Sequence, residues 1–524
     1  MLETYLAEAR DAVVLEDGQT MFDLATARYS VSAEHGKCVL HLWSAERNTV
    51  RRVLEAEVKH DVLRLSVQRF GQSKAAKLEI CRERDRRTPT ARKAARAAYQ
   101  RRLGRVLERS FPDLRVEKLS SAMDLERSFG PIYCRGTLRR GRSAFAVLGV
   151  NAQEMQPSID ASLTFGLLWL DHLRQREAAR AVVEGLKLFV PAGTAAVVRE
   201  RMAHLNRGAA KFELYELNEP EESLEAMDTA DRGNIATRLV RSPDEAAARE
   251  RFAASIARIA SLLPEAEAVV LSPSAIGFRL HGLEFAQARI EAERGTFRSA
   301  EQLVFGVGAN EQVLGEDNAE FFASLVATLA RSRRAGGRRP AGQSPEGRSP
   351  EGQSNDPLWR MRPERWLESL VVRDVSALDS RLDAASAYSQ VPAFSASDRA
   401  MIDVLTATRA GRLAVLELKA EEDIHLPLQG LDYWARVSWH HARGEFQRFG
   451  YFPARELSAE KPLLFLVAPA LHVHPATDTL LRYISPEIYW ALVGIDERWR
   501  DGVRAVFRKR PGDSALSFPR PQQP

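Results

Sequence analysis

Two acidic residues and a lysine stand in adjacent apolar segments towards the C-terminal end of the sequence. Asp403 lies in MIDVLTA, and Glu417 and Lys419 lie in GRLAVLELKA. The turn between the segments, Arg409-Ala410-Gly411, fits a three-residue hairpin loop, because the last residue of that loop needs a positive φ. Carboxylates side by side in apolar surroundings repel each other and are costly to desolvate. Their presence here therefore indicates a binding site for a divalent cation.

The hairpin that this loop closes determines which side chains meet. With Thr408 opposite Arg412, counting outward places Asp403 opposite Glu417, with Cβ atoms roughly 4.5–5.5 Å apart on one face of the sheet. Lys419 is two residues further along the strand and therefore lies on the same face. The hairpin thus predicts that two carboxylates and one ammonium converge.

Predicted helices flank the hairpin on both sides. The helix after it begins near Pro427, since proline suits the first turn. Four of its polar residues fall on one stripe: Gln429, Tyr433, Arg436 and His440. We interpret His440 either as a phosphate contact or as an ordinary, partly exposed helix histidine. Upstream, residues 362–382 predict a helix in which Glu364 and Glu368 are one turn apart.

This order of residues resembles the PD-(D/E)xK nuclease superfamily, and within it the RecB-like branch that carries a QxxxY motif. The resemblance covers about 358–500. The matching residues are a helical Glu, Asp403, the triplet Glu417-Leu418-Lys419, and the pair Gln429 and Tyr433. The resemblance implies an α/β fold whose C-terminal domain has a restriction-endonuclease-like mixed sheet.

The resemblance also implies a metal site. Asp403 and Glu417, with the backbone carbonyl of Leu418, would hold Mg²⁺ or Mn²⁺, because these hard cations prefer oxygen ligands. One departure from the family pattern is Ile402, which stands where the name-giving Pro would be. Many members lack that Pro, so the departure leaves the metal ligands unaffected.

The remaining motif residues receive roles in catalysis from the same resemblance. Lys419 would orient the attacking water or stabilise the transition state. Gln429 and Tyr433 would position Lys419 or grip the phosphate backbone. Either Glu364 or Glu368, or both, would join the site through a metal-bound water.

We therefore expect a divalent-metal-dependent phosphodiesterase, a deoxyribonuclease that acts in repair, recombination or defence. The alternative is a non-catalytic nucleic-acid-binding or scaffold protein that keeps the nuclease fold as a platform, because one fold hosts many functions. DNA is the expected partner. RNA as a substrate, endonuclease against exonuclease action, and the oligomeric state, a homodimer included, are left open.

Composition is ordinary for a globular protein, with 28% charged and 45% hydrophobic residues among 524. A net charge of +5 is too small to indicate nucleic-acid binding by itself. The basic run from Arg82 to Arg109 suits either phosphate contacts or a solvated helix. Three cysteines without pairing or metal spacing suit a reducing cytoplasm. No signal peptide or membrane-spanning stretch is expected.

Patterning along the chain predicts several domains. These are a β-rich N-terminal domain (1–80), a basic helix followed by a degenerate nuclease-like domain (81–220), an α/β region (221–330), a disordered linker (331–357), the nuclease-like domain (358–510) and a disordered tail (511–524).

The degenerate domain is inferred from a local likeness. FAVLGVNA aligns without gaps with LAVLELKA, so that Gly149 takes the place of Glu417 and Asn151 that of Lys419. Helices and strands follow in the same order, which predicts that about 100–220 is a second copy of the fold without metal ligands. An unrelated α/β domain is the other interpretation, because short apolar strands resemble one another easily.

Overall fold

A computed structural model describes most of the chain. The described residues are 2, 5, 6, 9, 12–16, 19–24, 27–34, 37–43, 48–59, 62–69, 75–81, 89–124, 129–232, 235, 237–292, 299–306, 311–334, 356–395 and 401–513. Residues 82–88 of the predicted basic run, 335–355 of the predicted linker and 514–524 of the predicted tail lie outside them.

The strands are, in chain order, β1 (Val13–Glu16), β2 (Gln19–Asp23), β3 (Arg28–Glu34), β4 (Lys37–Trp43), β5 (Asn48–Lys59), β6 (Val62–Arg69), β7 (Ala75–Cys81), β8 (Arg115–Ser120), β9 (Cys134–Arg140), β10 (Ser143–Gly149), β11 (Val182–Pro191), β12 (Lys211–Asn218), β13 (Ser223–Met227), β14 (Thr237–Leu239), β15 (Glu267–Ser272), β16 (Ala275–Leu280), β17 (Leu283–Ala292), β18 (Ser299–Phe305), β19 (Gln312–Val313), β20 (Tyr388–Ser395), β21 (Met401–Ala407), β22 (Leu413–Leu418), β23 (Leu463–Pro469), β24 (Trp490–Ile495) and β25 (Ala505–Lys509).

The α-helices of the described residues are α1 (Pro89–Ser110), α2 (Gln156–Asp160), α3 (Ser162–Glu177), α4 (Ala196–Met202), α5 (Glu245–Arg251), α6 (Ala253–Leu262), α7 (Ala319–Ser332), α8 (Pro357–Arg360), α9 (Pro363–Arg373), α10 (Leu426–His441), α11 (Glu445–Arg448) and α12 (Thr477–Arg482). The protein is thus a mixed α/β fold, and the predicted α/β class is confirmed. None of the described helices is long and apolar enough to cross a membrane.

The chain forms two compact units. The first comprises Met1–Thr88, Ala246–Arg279 and Glu284–Ala327, and the second comprises Pro89–Glu245, Leu280–Leu283 and Thr328–Pro524. The first unit contains a seven-stranded sheet in the order β2-β1-β7-β6-β5-β4-β3. Its neighbouring strands all pair antiparallel.

Two sheets in the second unit share one succession of elements. In what we call the first lobe (Pro89–Met227), α1 precedes the antiparallel strands β8, β9 and β10, and β11 and β12 then run parallel to β10. In the second lobe (Pro363–Lys509), α9 precedes β20, β21 and β22, and β23 and β24 run parallel to β22. Each sheet ends in an antiparallel strand, β13 or β25.

The connecting helices follow from this topology, because parallel strands need a crossover. In the second lobe α10 links β22 to β23 and α12 links β23 to β24. All six residues of β22 are buried, as are all seven of β23, which is typical of central strands that are covered on both faces. Acidic residues in such strands therefore have little access to solvent.

Gly430 determines how closely α10 lies on this sheet. A Cβ atom at Gly430 would be 2.4 Å from Cδ2 of Leu466 and 3.5 Å from Cβ of Glu417. The helix therefore comes nearer to β22 and β23 than it could with any side chain at this position. That close approach lays α10 directly over Glu417.

We expect Gly430→Ala to lower the free energy of unfolding in urea. Overpacking a core costs about 1–3 kcal/mol, whereas replacing a helical Gly by Ala returns roughly 1 kcal/mol at most. The matched control is Gly104→Ala in α1, where the added Cβ would be 3.4 Å from Leu119 and a modest gain is expected. Equal stabilisation by both substitutions would contradict the close packing at Gly430.

Candidate functional site

The β21–β22 hairpin has the predicted register. The N–H of Thr408 donates to the carbonyl of Arg412 at 2.7 Å, and Gly411 has φ +82°. Strand pairing then continues outward to Val404 opposite Leu416. The register predicted from the three-residue loop is therefore confirmed as far as Val404 and Leu416.

Asp403 lies where the regular pairing of the two strands ends. Instead of a further backbone bond, its Oδ2 accepts a hydrogen bond from the N–H of Leu418 at 3.0 Å. Burial raises the pKa of the Asp403 carboxyl, although the Leu418 N–H and the ammonium of Lys419 act in the opposite direction. The side chain thus replaces a ladder bond and fixes the end of β21 against β22.

Glu417 is the most enclosed acid of the site. It is only 2% exposed, and its Oε2 has no hydrogen-bond partner among the described residues. Burial, and after it the charge of Asp403, raises the pKa of Glu417 well above its usual range. Burial beside a second carboxylate therefore disfavours ionisation of both groups in the metal-free protein.

Lys419 lies between this pair and solvent. Its Nζ is 3.2 Å from Oε1 of Glu417 and 3.6 Å from Oδ2 of Asp423, and its side chain is 20% exposed. Burial alone would lower the pKa of Lys419, but the neighbouring carboxylates of Glu417 and Asp423 raise it. The ammonium therefore stays charged beside the carboxylates and within reach of a ligand.

Tyr433, on the polar stripe of α10, lies near the carboxylate pair. Burial, followed by the charges of Glu417 and Asp403, raises the pKa of Tyr433. Buried polar atoms without a partner among the described residues also occur on this helix, at Oε1 of Gln429 and at Nε and Nη1 of Arg436. Three polar atoms of the stripe therefore have no hydrogen-bond partner among the described residues.

His440 does not have either of its predicted roles. It is 1% exposed, its Nε2 is 3.0 Å from Oγ1 of Thr237, and its Nδ1 pairs with Glu445. Both ring nitrogens are therefore engaged inside the fold. The prediction of a phosphate contact or a partly exposed histidine was wrong, because the stripe continues past the site into the core.

The two candidate glutamates of α9 differ in their surroundings. Glu368 is buried and its Oε2 accepts hydrogen bonds from Arg365 at 3.0 Å and from Gln390 at 2.6 Å. Glu364, one turn earlier, is only half-buried. Glu368 is thus the helical acid that is fixed against the sheet.

Gln390 binds Glu368 and lies opposite Asp403 in the sheet. On β20, Ser389 pairs with Val404 and the residue after Gln390 pairs with the residue before Asp403, so Gln390 stands level with Asp403. Its φ of +51° is unusual for a residue with a side chain. No residue pattern around Gln390 indicates this kink. Arg365, whose charge acts on Asp403, was also missed, because nothing in α9 distinguishes it from other helical arginines.

The site offers few donors for a metal ion. No group of three or more His, Cys, Asp or Glu in the described part of the chain has metal-binding geometry, so Asp403 and Glu417 form a two-carboxylate set. Mg²⁺ is commonly held by one or two carboxylates and keeps several waters. The unpartnered Oε2 of Glu417 fits such an ion, since a buried acceptor needs a partner.

The basic helix α1 does not present a free row of arginines. Three of them form ion pairs with glutamates of the same lobe: Arg96 with Glu154, Arg102 with Glu219 and Arg105 with Glu222. Both interpretations of the run, phosphate contacts and a solvated helix, treated these charges as available. The structure uses these three to attach α1 to the first lobe.

The predicted equivalence of Gly149 and Glu417 is wrong by one residue. A Cβ atom at Gly149 would be 2.5 Å from the hydroxyl of Tyr99 in α1, so this position faces the N-terminal helix of its lobe. Glu417 faces α10, the crossover helix, beneath Gly430. The gapless alignment ignored the different hairpin loops, and a slip of one residue moves every side chain to the other face.

Comparison with known proteins gives no relative. No family model, no curated protein and no solved structure matches the chain. The geometry of the second lobe therefore has to carry the functional argument.

Replacing Glu417 by Gln should stabilise the metal-free protein at neutral pH. Since the pKa of Glu417 is raised on folding, ionising this carboxyl opposes folding. The stability that protonation provides is complete below the unfolded pKa of about 4.3 and is lost as pH rises through the folded value, by about 1.4 kcal/mol per pKa unit of the shift. Thermal unfolding in EDTA from acid to alkaline pH should show a Tm advantage of Glu417→Gln that grows with pH.

Glu421→Gln serves as the matched control, because Glu421 is exposed and close in sequence. It should leave the pH dependence of Tm unchanged. A Glu417→Gln variant that loses stability with rising pH relative to wild type would contradict the buried, protonated pair.

Metal binding should be coupled to proton release. If a cation replaces the proton of the Asp403–Glu417 pair, its affinity rises with pH and binding liberates protons. Calorimetry with Mn²⁺ in buffers of different ionisation enthalpy should detect both effects in wild type and lose the binding signal in Asp403→Ala. Equal Mn²⁺ binding by wild type and Asp403→Ala would refute the site.

Proposed function

We propose that the second lobe is the catalytic centre of a divalent-metal-dependent phosphodiesterase that hydrolyses DNA. The observation that carries this proposal is the convergence of Asp403, Glu417 and Lys419 at the ends of two neighbouring strands, with an unpartnered carboxylate oxygen in a buried setting. Perturbed carboxylates of this kind are concentrated at functional sites. The order α9-β20-β21-β22-α10-β23 supports the resemblance to the PD-(D/E)xK nucleases.

Asp403 and Glu417 would hold Mg²⁺ or Mn²⁺. When bound, such an ion lowers the pKa of a coordinated water and neutralises charge on a phosphate. The protein's part is to fix the two carboxylates before the ion arrives. The N–H of Leu418 donates to one oxygen of Asp403. The close packing of α10 on the sheet at Gly430 confines Glu417.

Lys419 supplies the positive charge for the phosphate. Its ammonium pairs with Glu417 in the resting protein and is partly exposed. If the ammonium of Lys419 turned towards a scissile phosphate, its N–H groups would lie where negative charge develops in the transition state. The buried guanidinium of Arg436 and the hydroxyl of Tyr433 lie on the same stripe and would hold the phosphate or Lys419 in place.

Glu368 would support the site without touching the reacting atoms. Its carboxylate receives hydrogen bonds from Arg365 and Gln390, and Gln390 stands level with Asp403. The three side chains would therefore support Asp403 from the neighbouring strand and helix. Such supporting groups tune affinity even though they do not touch the ion.

A non-catalytic platform is the competing function, and one observation favours it. Lys419 already has two carboxylate partners, Glu417 and Asp423, as in a purely structural ion-pair network. A platform of this kind would bind nucleic acid without cleaving it. Only an activity measurement separates the two functions.

The deciding experiment compares wild type with Lys419→Ala. Linear, circular and branched DNA are incubated with each protein in Mg²⁺, Mn²⁺ or EDTA, and products are resolved on denaturing gels. Lys419→Ala should keep Mn²⁺ and DNA binding but lose on the order of 10²–10³-fold in cleavage rate, as for removal of one transition-state donor.

Lys461→Ala is the matched control, since Lys461 is an exposed lysine of the same lobe that pairs with Glu487. It should cleave at the wild-type rate. Cleavage by Lys419→Ala at the wild-type rate would place the active site elsewhere, and DNA binding by a wild type that cuts nothing with any metal would favour the platform.

A further inference from the structure

The two lobes are joined by reciprocal contacts. The chain that follows α4 and the chain that follows α12 form an isolated antiparallel β-bridge. The N–H of Asn206 donates to the carbonyl of Tyr483 at 2.8 Å, and the N–H of Ser485 donates to the carbonyl of His204 at 2.9 Å. The two lobes thus contact each other through corresponding segments, as subunits do across a two-fold axis.

The helices on either side of this bridge repeat the reciprocity. The α4 helix packs on α10 of the second lobe, and α12 packs on α3 of the first. An ion pair closes each contact: Arg201 binds both oxygens of Asp432 at 2.9 and 2.7 Å, and Arg482 pairs with Asp171 at 3.3 Å. One continuous apolar core contains residues of both lobes.

Corresponding positions in the two lobes can be identified from the backbone. Val150 is the residue after β10 and donates its N–H to Phe189 of β11 at 3.1 Å. Lys419 is the residue after β22 and donates its N–H to Val467 of β23 at 2.9 Å. Val150 therefore occupies the place of Lys419.

Leu148 and Arg135 occupy the places of the two carboxylates. Leu148 lies two residues before Val150, as Glu417 lies two before Lys419. Arg135 is the register partner of Leu148 on the preceding strand, as Asp403 is of Glu417 by continuation of the β21–β22 register. The first lobe has thus replaced two acids by an apolar side chain and a cation.

The aromatic pair of α3 corresponds to the QxxxY motif. The helices α3 and α10 are each 16 residues long. Gly166 is the fifth residue of α3, as Gly430 is of α10, and a Cβ at Gly166 would also crowd a strand leucine, at 2.8 Å. Counting from these glycines, Phe165 stands at the position of Gln429 and Trp169 at that of Tyr433.

The Arg135 guanidinium fills the site of the first lobe. It lies 4.7 Å from the ring of Phe129 and 5.9 Å from that of Trp169, and it donates to the carbonyls of Gly130 and Ala122. A buried cation that is already held by backbone carbonyls repels a metal ion. With Arg135, Leu148 and Val150 at these positions, the first lobe lacks the two carboxylates and the ammonium on which the proposed chemistry of the second lobe depends.

We propose that each chain is an internal pseudo-dimer with one catalytic centre, and that it cuts one strand of duplex DNA per encounter. The inference rests on the proposed function and deepens it. Two equivalent sites related by a two-fold axis can each address one of the two antiparallel strands, but here only the second lobe has the residues to react. One water adds across one P–O bond, the bridging oxygen leaves as an alcohol with a proton, and a phosphate monoester remains.

The test follows supercoiled plasmid in large excess over the full-length protein with Mg²⁺ or Mn²⁺. Open-circular plasmid should accumulate first, and linear plasmid should appear only after a lag, when independent nicks on opposite strands come close. Linear plasmid formed without a lag would overturn the single-centre inference while leaving the nuclease proposal intact. Absence of any cleavage would overturn both.

A second measurement excludes pairing of two chains at one DNA site. Wild type is mixed with Lys419→Ala at constant total protein, and the initial nicking rate is plotted against the wild-type fraction. A single centre per acting unit predicts that half the wild type gives half the rate. A fall to a quarter would show that two second lobes must act together and would overturn the inference; mixing with Lys461→Ala should leave the rate unchanged.

Discussion

The second lobe is organised around the cost of burying two carboxylates next to each other. Moving an ionised carboxylate out of water costs several kcal/mol even after the protein relaxes, and Asp403 and Glu417 bear this cost at adjacent strand ends. A proton or a divalent cation relieves the repulsion, and the two compete. The apolar strands hold the carboxylates in place, because β22 and β23 are buried along their whole length and cannot yield without losing packing.

The surroundings of the pair show how the fold keeps it in a narrow geometry. Asp403 is held by a backbone N–H, and the Gln390 side chain links the neighbouring strand to Glu368. The left-handed backbone of Gln390 costs on the order of 1–3 kcal/mol and persists only where its surroundings enforce it. The strain at Gln390 and the unpaired acceptor of Glu417 thus coincide within one small region, and neither of them adds to stability.

The features that could be predicted from the sequence are local ones. The features that could not be predicted depend on residues far away in the chain. The loop ending in Gly411 determines the hairpin register within ten residues, so the proximity of Asp403 to Glu417 followed from counting. The kink at Gln390 and the internal ion pairs of α1 depend on contacts far away in the chain. The one-residue error at Gly149 has the same origin, because hairpin loops of different length shift the register and sequence letters do not record which face a strand residue occupies.

The first lobe serves as an internal control for the second. It forms the same order of strands and the same crossover helices with Leu148, Val150 and Arg135 at the critical positions. The fold therefore does not need acids there. Replacing a buried charge network by apolar residues of similar size is often neutral or stabilising, so stability alone gives no reason for Asp403 and Glu417 to stand in the second lobe. Their presence is best explained by a ligand that requires them, and a hard divalent cation is the ligand whose chemistry matches two carboxylates and a nearby ammonium.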